Sequence, residues 1–210
     1  MNVYIVGEDD ATKSIILKIL EFCSSDFNVI GSIPARGGQI KSKIQEFNTL
    51  SSITPVILLM DLDQNNCPPE LKNQLIPDNK SEHFIFNIAV DEAEAWLMAD
   101  REGFASYFKV NINEIPISSI QKLNGSKTTL EMDFPYKSSM FLTHNLVKKM
   151  RNKTFQSQLT PKPNAVKGPE YNSCILPFIE SHWNIEKAML NSDSLRRMVE
   201  RIIALKTNLD

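Results

Sequence analysis

The first half of the chain alternates short apolar segments, rich in β-branched residues, with segments whose apolar residues recur at helical spacing. The apolar segments lie at 3–7, 28–33, 56–63 and 83–90, and the third, VILLMDLD, is the most hydrophobic. Short, uniformly apolar strands are typical of parallel sheets that are covered on both faces. Helices between the strands favour right-handed crossovers. The sequence therefore predicts an α/β fold with a doubly wound, mostly parallel sheet.

Helices are expected between these strands and through the second half of the chain. A helix after the first strand would bury Ile15, Ile16 and Ile19, with Asp9 or Asp10 as its N-cap. Further helices are predicted at about 39–50, 69–76, 91–108, 141–151 and 170–182, and over a C-terminal segment capped by Ser192 or Asp193.

The periodic pattern weakens beyond residue 108. Residues 109–140 are loop-rich, and no structure or role is assigned to them. We divide the chain into an α/β domain over 1–108 and a largely helical, loop-rich C-terminal extension over 109–210. The extension is expected to pack on the first domain.

Charge and cysteine content narrow the class of protein. The 210 residues include 23 Lys and Arg against 25 Asp and Glu, a net charge of −2. Binding of nucleic acid by bulk charge is therefore not expected, although a local basic patch is compatible with this balance. No apolar run approaches the roughly 20 residues of a membrane span, and the opening residues MNVYIVG lack the charged-then-apolar pattern expected of a signal segment. The 3 cysteines suggest neither a disulfide framework nor a zinc site. We expect a cytoplasmic protein without a membrane partner.

Acidic residues follow three of the four predicted strands. Glu8 follows the first strand, Asp61 and Asp63 end the third, and Glu92 and Glu94 follow the fourth. The carboxyl ends of parallel strands form the ligand crevice of a doubly wound sheet, and residues 61 and 63 share one face of an extended strand. Carboxylates brought this close repel one another unless they share a cation. Oxygen ligands without His or Cys favour Mg²⁺ or Mn²⁺ over zinc.

Candidates for substrate binding are less distinctive. Arg36, Gly37 and Gly38 follow the second strand, where glycines let the backbone approach a phosphate. Lys162 and Lys167 lie in the loop TPKPNAVKGP and would supply positive charge beside the acids. The alternative explanations are a plain helix-entry turn for the first group and, as is usual for loop lysines, simple solvation for the second. The chain has no P-loop, so ATP hydrolysis by the chain alone is not expected.

Parts of the sequence resemble the receiver domain of response regulators. VYIVGEDDATKSIILKIL resembles the opening strand, acid pair and first helix, and VILLMDLDQ resembles the phosphoacceptor strand, with Asp61 as acceptor. Receivers end their fourth strand with Ser or Thr, where this chain has Ala89-Val90-Asp91-Glu92. Their later Lys-Pro has a counterpart only at Lys162-Pro163, about a hundred residues after Asp61. A receiver-like or non-catalytic Mg²⁺-binding signalling module is therefore kept only as the alternative.

A second resemblance covers most of the chain. Val3–Glu8 and Val56–Asp63 resemble, in order and spacing, the acidic motifs of the TOPRIM domain of topoisomerases, primases and OLD-type nucleases, although the glycine here precedes the glutamate. VDEAEAWLMAD and the segments at 168–172 and 183–195 resemble small bacterial TOPRIM-like proteins related to the OLD-type nucleases, which often accompany an ATPase in mobile or defence loci.

The TOPRIM resemblance implies a metal-dependent nuclease. Asp61 and Asp63 would hold Mg²⁺ or Mn²⁺, and Glu8 would be a metal ligand or general acid/base, so that these three form the catalytic set. Glu92 or Glu94 would complete a second metal site. Because they lie about 200° apart on a helix, only one is expected to face the crevice. We favour Glu94 because Glu-Ala-Trp carries the resemblance.

The same resemblance implies the partners. They are nucleic acid, with DNA favoured over RNA, and a separate ATPase in a defence or mobile-element system. Pairing of the C-terminal helix with a second copy would give a homo-oligomer.

Overall fold

The fold is built on one parallel sheet. The computed structural model describes residues 1–35, 38–62, 68–76, 78–123 and 127–207. Four parallel strands pair in the order β2-β1-β3-β4, with bounds β1 Asn2–Gly7, β2 Asn28–Ser32, β3 Val56–Asp61 and β4 Phe84–Ala89. The predicted α/β class and parallel sheet are confirmed, and the arrangement is consistent with a Rossmann-like fold.

The strand register brings the acidic ends of the strands to one edge. Asp61 at the end of β3 pairs with Ala89 at the end of β4, and Gly7 at the end of β1 pairs with Leu59. A Cβ at Gly7 would lie 2.8 Å from Thr12 Oγ1. The helix that follows β1 therefore approaches so closely that glycine is required just before the glutamate.

Helices cover both faces of the sheet and form most of the second half of the chain. None in the described ranges is long and apolar enough to cross a bilayer. Their bounds are α1 Asp10–Cys23, α2 Gly38–Ser42, α3 Ile44–Leu50, α4 Pro68–Leu75, α5 Ala93–Ala99, α6 Arg101–Phe108, α7 Ser138–Met140, α8 Lys153–Leu159, α9 Tyr171–Ser181, α10 Ile185–Met189 and α11 Asp193–Thr207.

Two clusters of buried side chains fill the two faces. One contains Val6, Leu58 and Phe86 from the sheet with side chains from α2, α3 and α4. The larger contains Ile57 and Leu59 with side chains from α1, α5, α6, α9 and α11. Because this cluster joins residues from before and after position 108, the helical part packs on the sheet as expected. The division at 108 itself stays a prediction.

The predicted helix over 91–108 is divided into two helices. The chain forms α5 and α6, which are separated at Asp100. The Asp100 carboxylate accepts hydrogen bonds from the backbone N–H groups of Gly103, at 3.1 Å, and Asn184, at 2.9 Å. A side chain at Gly103 would collide with that carboxylate. Asp100 therefore acts as the N-cap that begins a second helix.

The predicted helix over 39–50 is likewise divided, into α2 and α3. The predicted helix over 141–151 is instead a π-helical segment, Phe141–Asn145, followed by the 3₁₀ segment Leu146–Lys149. The Thr143 hydroxyl donates to the carbonyl of Ser139, at 2.9 Å, and so competes with the regular helical ladder.

Residues 109–140 contain a hairpin that sequence patterning did not identify. The strands β5 Ser118–Lys122 and β6 Thr128–Met132 pair antiparallel. Its anchor is Glu131, which is 2 % exposed and accepts hydrogen bonds from Ser192 Oγ at 2.7 Å and from the Ser194 backbone N–H at 2.7 Å. The hairpin is thereby attached to the start of α11.

Replacing Ser192 with alanine is expected to lower the free energy of unfolding by about 1–2 kcal/mol. The Ser192 hydroxyl accepts a hydrogen bond from the Leu195 N–H at 3.3 Å, as expected of the predicted helix cap. It also donates a hydrogen bond to Glu131. Urea unfolding of Ser192→Ala measures the loss. Ser157→Ala is the control because this exposed hydroxyl bonds only within α8. Equal stability of the two variants would contradict the prediction.

Candidate functional site

Asp61 occupies the centre of the candidate site. It ends β3, and its Oδ1 accepts a hydrogen bond from the backbone N–H of Ala93, at 2.9 Å, at the start of α5. Burial raises the pKa of Asp61 well above its ordinary value, and the negative charges of Glu94, Glu8 and Glu92 raise it further. The predicted acids from three strand ends are therefore close enough to act on one another electrostatically.

Glu92 is held by the segment that begins α7. It is 7 % exposed, its Oε2 accepts from the Ser139 backbone N–H at 2.9 Å, and its Oε1 lies 3.2 Å from Lys137 Nζ. The preceding Asp91 has a positive φ of 67° and accepts from the Ser138 N–H at 2.8 Å. Burial raises the pKa of Asp91. The turn after β4 thus directs two consecutive carboxylates towards α7.

Glu94 is held by residues from the far end of the chain. It is 6 % exposed, its Oε1 accepts a 2.5 Å hydrogen bond from Tyr171 Oη, and it lies 3.2 Å from Lys167 Nζ. Burial raises the pKa of Tyr171 well above its ordinary value, and the neighbouring Glu94 adds to the shift. Tyr171 therefore stays protonated and donates its hydrogen bond.

Lys167 links the acids of two strand ends. Its Nζ lies 3.0 Å from Asp9 Oδ2 as well as close to Glu94, and 4.5 Å from the centre of the Tyr171 ring. Burial alone would lower the pKa of Lys167, but Glu94 and Asp9 raise it. Asp9 is the N-cap of α1, where its carboxylate accepts from the Thr12 N–H at 2.9 Å. This confirms the predicted cap and places Lys167 within the acid cluster.

The remaining predicted residues differ in their relation to Asp61. Glu8 lies between β1 and α1, where its charge contributes to the raised pKa of Asp61. Lys162 is exposed and forms no ion pair with a described residue. Gly38 begins α2, and a Cβ there would meet nothing within 4 Å, so the structure gives no steric reason for this glycine. Asp63, Arg36 and Gly37 lie outside the described residues.

Tyr171, Lys137, Asp9 and Asp91 are site residues that sequence reasoning did not select. Asp9 and Asp91 are next to predicted acids in the sequence, and this proximity could have identified them as site residues. Tyr171 lies 77 residues from Glu94 along the chain, and Lys137 lies 45 residues from Glu92. No local pattern connects such pairs.

The donor set fits a hard cation in its chemistry, because the groups around Asp61 are carboxylates and the described cluster contains no sulfur or imidazole ligand. The carboxylates around Asp61 also outnumber the ammonium groups of Lys137 and Lys167. Among the described residues, however, no group of three or more His, Cys, Asp or Glu side chains converges as a metal site. Lysines engage Glu92 and Glu94, and the predicted ligand Asp63 is not among the residues described.

The chain was compared with protein-family models, with curated proteins and with solved structures, and none of them matches it.

Proposed function

We propose that this protein is a metal-dependent nuclease of TOPRIM type, a hydrolase that cleaves phosphodiester bonds in nucleic acid. The observation that carries the proposal is Asp61, a carboxylate at the carboxyl edge of a parallel sheet whose pKa is raised by burial and by three neighbouring carboxylates. Concentrating negative charge in this way is costly unless a cation compensates for it. Ligand sites of open α/β sheets also lie at this edge.

Glu8, Asp61 and Asp63, with Glu92 or Glu94, are the residues that would hold Mg²⁺ or Mn²⁺. Such an ion, when bound, lowers the pKa of a water molecule and neutralises charge on a phosphodiester. The chain's own groups have separate tasks. The Ala93 N–H fixes the orientation of Asp61, and Glu8 serves as metal ligand or general acid/base.

Lys167 supplies positive charge at the substrate. Its ammonium group neutralises Asp9 and Glu94 in the structure. If Glu94 served as a metal ligand, the ammonium group of Lys167 would be available to a substrate phosphate at the same edge. Tyr171 keeps Glu94 oriented through its 2.5 Å hydrogen bond.

The proposed partners are DNA rather than RNA and a separate ATPase, in a defence or mobile-element system. The TOPRIM resemblance alone supports the ATPase and the biological setting. A homo-oligomer formed through the C-terminal helix stays a prediction, and the buried Leu195, Met198 and Ile202 show that the apolar face of α11 packs within its own chain.

The direct test is cleavage of plasmid DNA, single-stranded DNA and RNA with Mg²⁺ or Mn²⁺. We expect wild-type cleavage that requires the metal and is lost in Asp61→Ala/Asp63→Ala. The exposed pair Glu180→Ala/Glu186→Ala removes the same charge elsewhere and should retain activity. Cleavage in EDTA, or equal cleavage by both double variants, would refute the proposal.

A second candidate is a non-catalytic or receiver-like module that binds Mg²⁺. It is favoured by one observation: Lys137 and Lys167 already neutralise Glu92 and Glu94. Such a module would bind Mn²⁺ through Asp61 and cut no substrate. A receiver-like form would also incorporate phosphate from acetyl phosphate, and Asp61→Asn would abolish the incorporation.

A further inference from the structure

A groove lined by cations runs along the outer side of β4, the last strand of the sheet. One cavity of about 410 Å³ lies between α4, β4 and α11, and a second of about 240 Å³ adjoins it. The two cavities share Lys72, Phe86 and Arg201. We call this surface the basic groove and define it by Lys72, Lys80, Asn87, Arg197 and Arg201.

Positive charge in the basic groove is only partly neutralised. Within the described part of the chain, Lys72, Lys80 and Arg201 form no ion pair. Burial lowers the pKa of Lys72 to about 8, and the neighbouring charges of Arg201, Lys80 and Arg197 contribute to the shift. Arg197 has an acidic partner, Glu131, at 3.4 Å. In a chain with a net charge of −2, this accumulation of like charge requires an explanation.

Two acids beside the groove, Glu82 and Glu200, leave this excess in place. Glu82 lines the smaller cavity, but its side chain is 81 % exposed and lies beside His83. Glu200, on α11, is 2.6 Å from Arg196 instead. Neither therefore neutralises Lys72 or Lys80.

The floor of the groove holds an unused hydrogen-bond donor. Asn87 is 2 % exposed and lines the larger cavity, and its Oδ1 accepts from Arg201 Nη1 at 2.6 Å. Its Nδ2 is buried and has no hydrogen-bond partner among the described residues. A buried donor without an acceptor, next to uncompensated cations, is an arrangement that an anion would complete.

We propose that the basic groove binds the phosphodiester backbone of a nucleic acid strand. Two cavities in line, with cations along both, match a row of phosphates better than one small anion. The groove also reaches Val90 at the carboxyl end of β4, directly before Asp91 and Glu92. A strand in the groove therefore leads to the acid cluster, and in this respect the inference rests on the proposed function.

The test is fluorescence anisotropy of a labelled single strand of about 20 nucleotides, longer than typical single-strand site sizes, in EDTA. Lys72→Gln/Lys80→Gln is expected to bind about tenfold more weakly than the wild type. Because this variant neutralises two fewer phosphates, the slope of log affinity against log salt should become shallower by about 1.4. Lys72→Arg/Lys80→Arg, which keeps the charge, should retain affinity.

Lys18→Gln/Lys153→Gln is the matched control. It removes the same net charge from two lysines that lie outside the groove, beside Glu21 and Gln156. We expect its affinity to stay within about twofold of the wild type, since only nearby phosphates gain from a cation. Thermal melts verify that each variant is folded. Equal affinity of the groove variant and the wild type, an equal loss in the control, or no binding by the wild type would overturn the inference.

The two proposals can fail separately. Binding is measured without metal and repeated with Asp61→Asn, so it does not depend on cleavage. A groove-dependent affinity without any cleavage would overturn only the nuclease proposal. Metal-dependent cleavage, combined with a binding affinity that does not change when Lys72 and Lys80 are substituted, would overturn only the proposal that the basic groove binds nucleic acid.

Discussion

Asp61→Asn is expected to reduce metal-dependent cleavage by about a thousandfold or more while making the metal-free protein more stable. The activity falls because a neutral amide is a poor metal ligand and cannot support charge neutralisation at the phosphodiester. The stability rises because the amide removes one member of a group of mutually repelling carboxylates. Its oxygen can still accept from the Ala93 N–H. Loss of function and gain of stability therefore accompany each other.

The raised pKa of Asp61 also determines whether the stability of the protein rises or falls with pH. Because the folded protein holds the pKa of Asp61 above the ordinary value of 3.8, the folded state binds more protons than the unfolded state between the two values. Stability in EDTA should therefore fall as pH rises from the ordinary carboxyl range through the raised pKa. Asp91, whose pKa is also raised, acts in the same direction. Asp61→Asn should flatten this decline, and Mn²⁺ should reverse it in the wild type.

Melting temperatures between about pH 5 and 8, with EDTA or Mn²⁺, measure these effects over the range in which proteins are usually most stable. Asp133→Asn, at an exposed acid, is the control and should change neither activity nor the pH profile. Full cleavage by Asp61→Asn, or a lower melting temperature than the wild type in EDTA at the upper end of this range, would contradict the prediction.

Lys167→Met is expected to lower the free energy of unfolding by about 3 kcal/mol in EDTA. The substitution leaves Glu94, only 6 % exposed, without its ammonium partner. Breaking a buried ion pair typically costs about 3–5 kcal/mol. We take the lower end because the Lys167 side chain is 36 % exposed and solvent screens part of its charge.

Urea unfolding measures this loss, and Lys187→Met is the matched control. Lys187 pairs with Glu102 at 2.5 Å, but both side chains are largely exposed, so we expect no measurable change. Because Lys167→Met deepens the negative potential of the site, Mn²⁺ should stabilise the variant more than it stabilises the wild type. Equal losses in the two variants, or weaker stabilisation of Lys167→Met by Mn²⁺, would show that Lys167 does not compensate the acids.

The central sheet could be predicted because the burial of each strand is reflected in the residues of the strand itself. β3 is buried on both faces, so its residues are apolar without alternation and the segment is recognisable alone. The meeting of the acids followed from the same reasoning, since parallel strands of similar length end at one edge. The pairing of Asp61 with Ala89 confirms that β3 and β4 end at the same edge of the sheet.

The missed elements lack such a local signature. In β6 the polar residues Thr129 and Glu131 are buried, whereas the apolar Leu130 on the other face is partly exposed, so the segment lacks the apolar-in, polar-out alternation that marks a half-buried strand. Hydrogen bonds from Ser192 and Ser194, together with the Arg197 guanidinium, make burial of that carboxylate tolerable, and all three residues lie more than 60 positions later in the chain. The same holds for Lys167, which reads as a solvated loop lysine until the fold places it between Asp9 and Glu94.

The side of β4 that faces away from β3 has a consequence for self-association. An outermost strand offers unpaired backbone groups on which a second copy can add a strand. Here the Arg201 guanidinium donates to the carbonyl of Phe86, at 3.4 Å, and α11 packs against the strand. Two copies approaching through this edge would also bring together two sets of lysine and arginine charges. Continuation of the sheet from one molecule into the next is therefore disfavoured at β4.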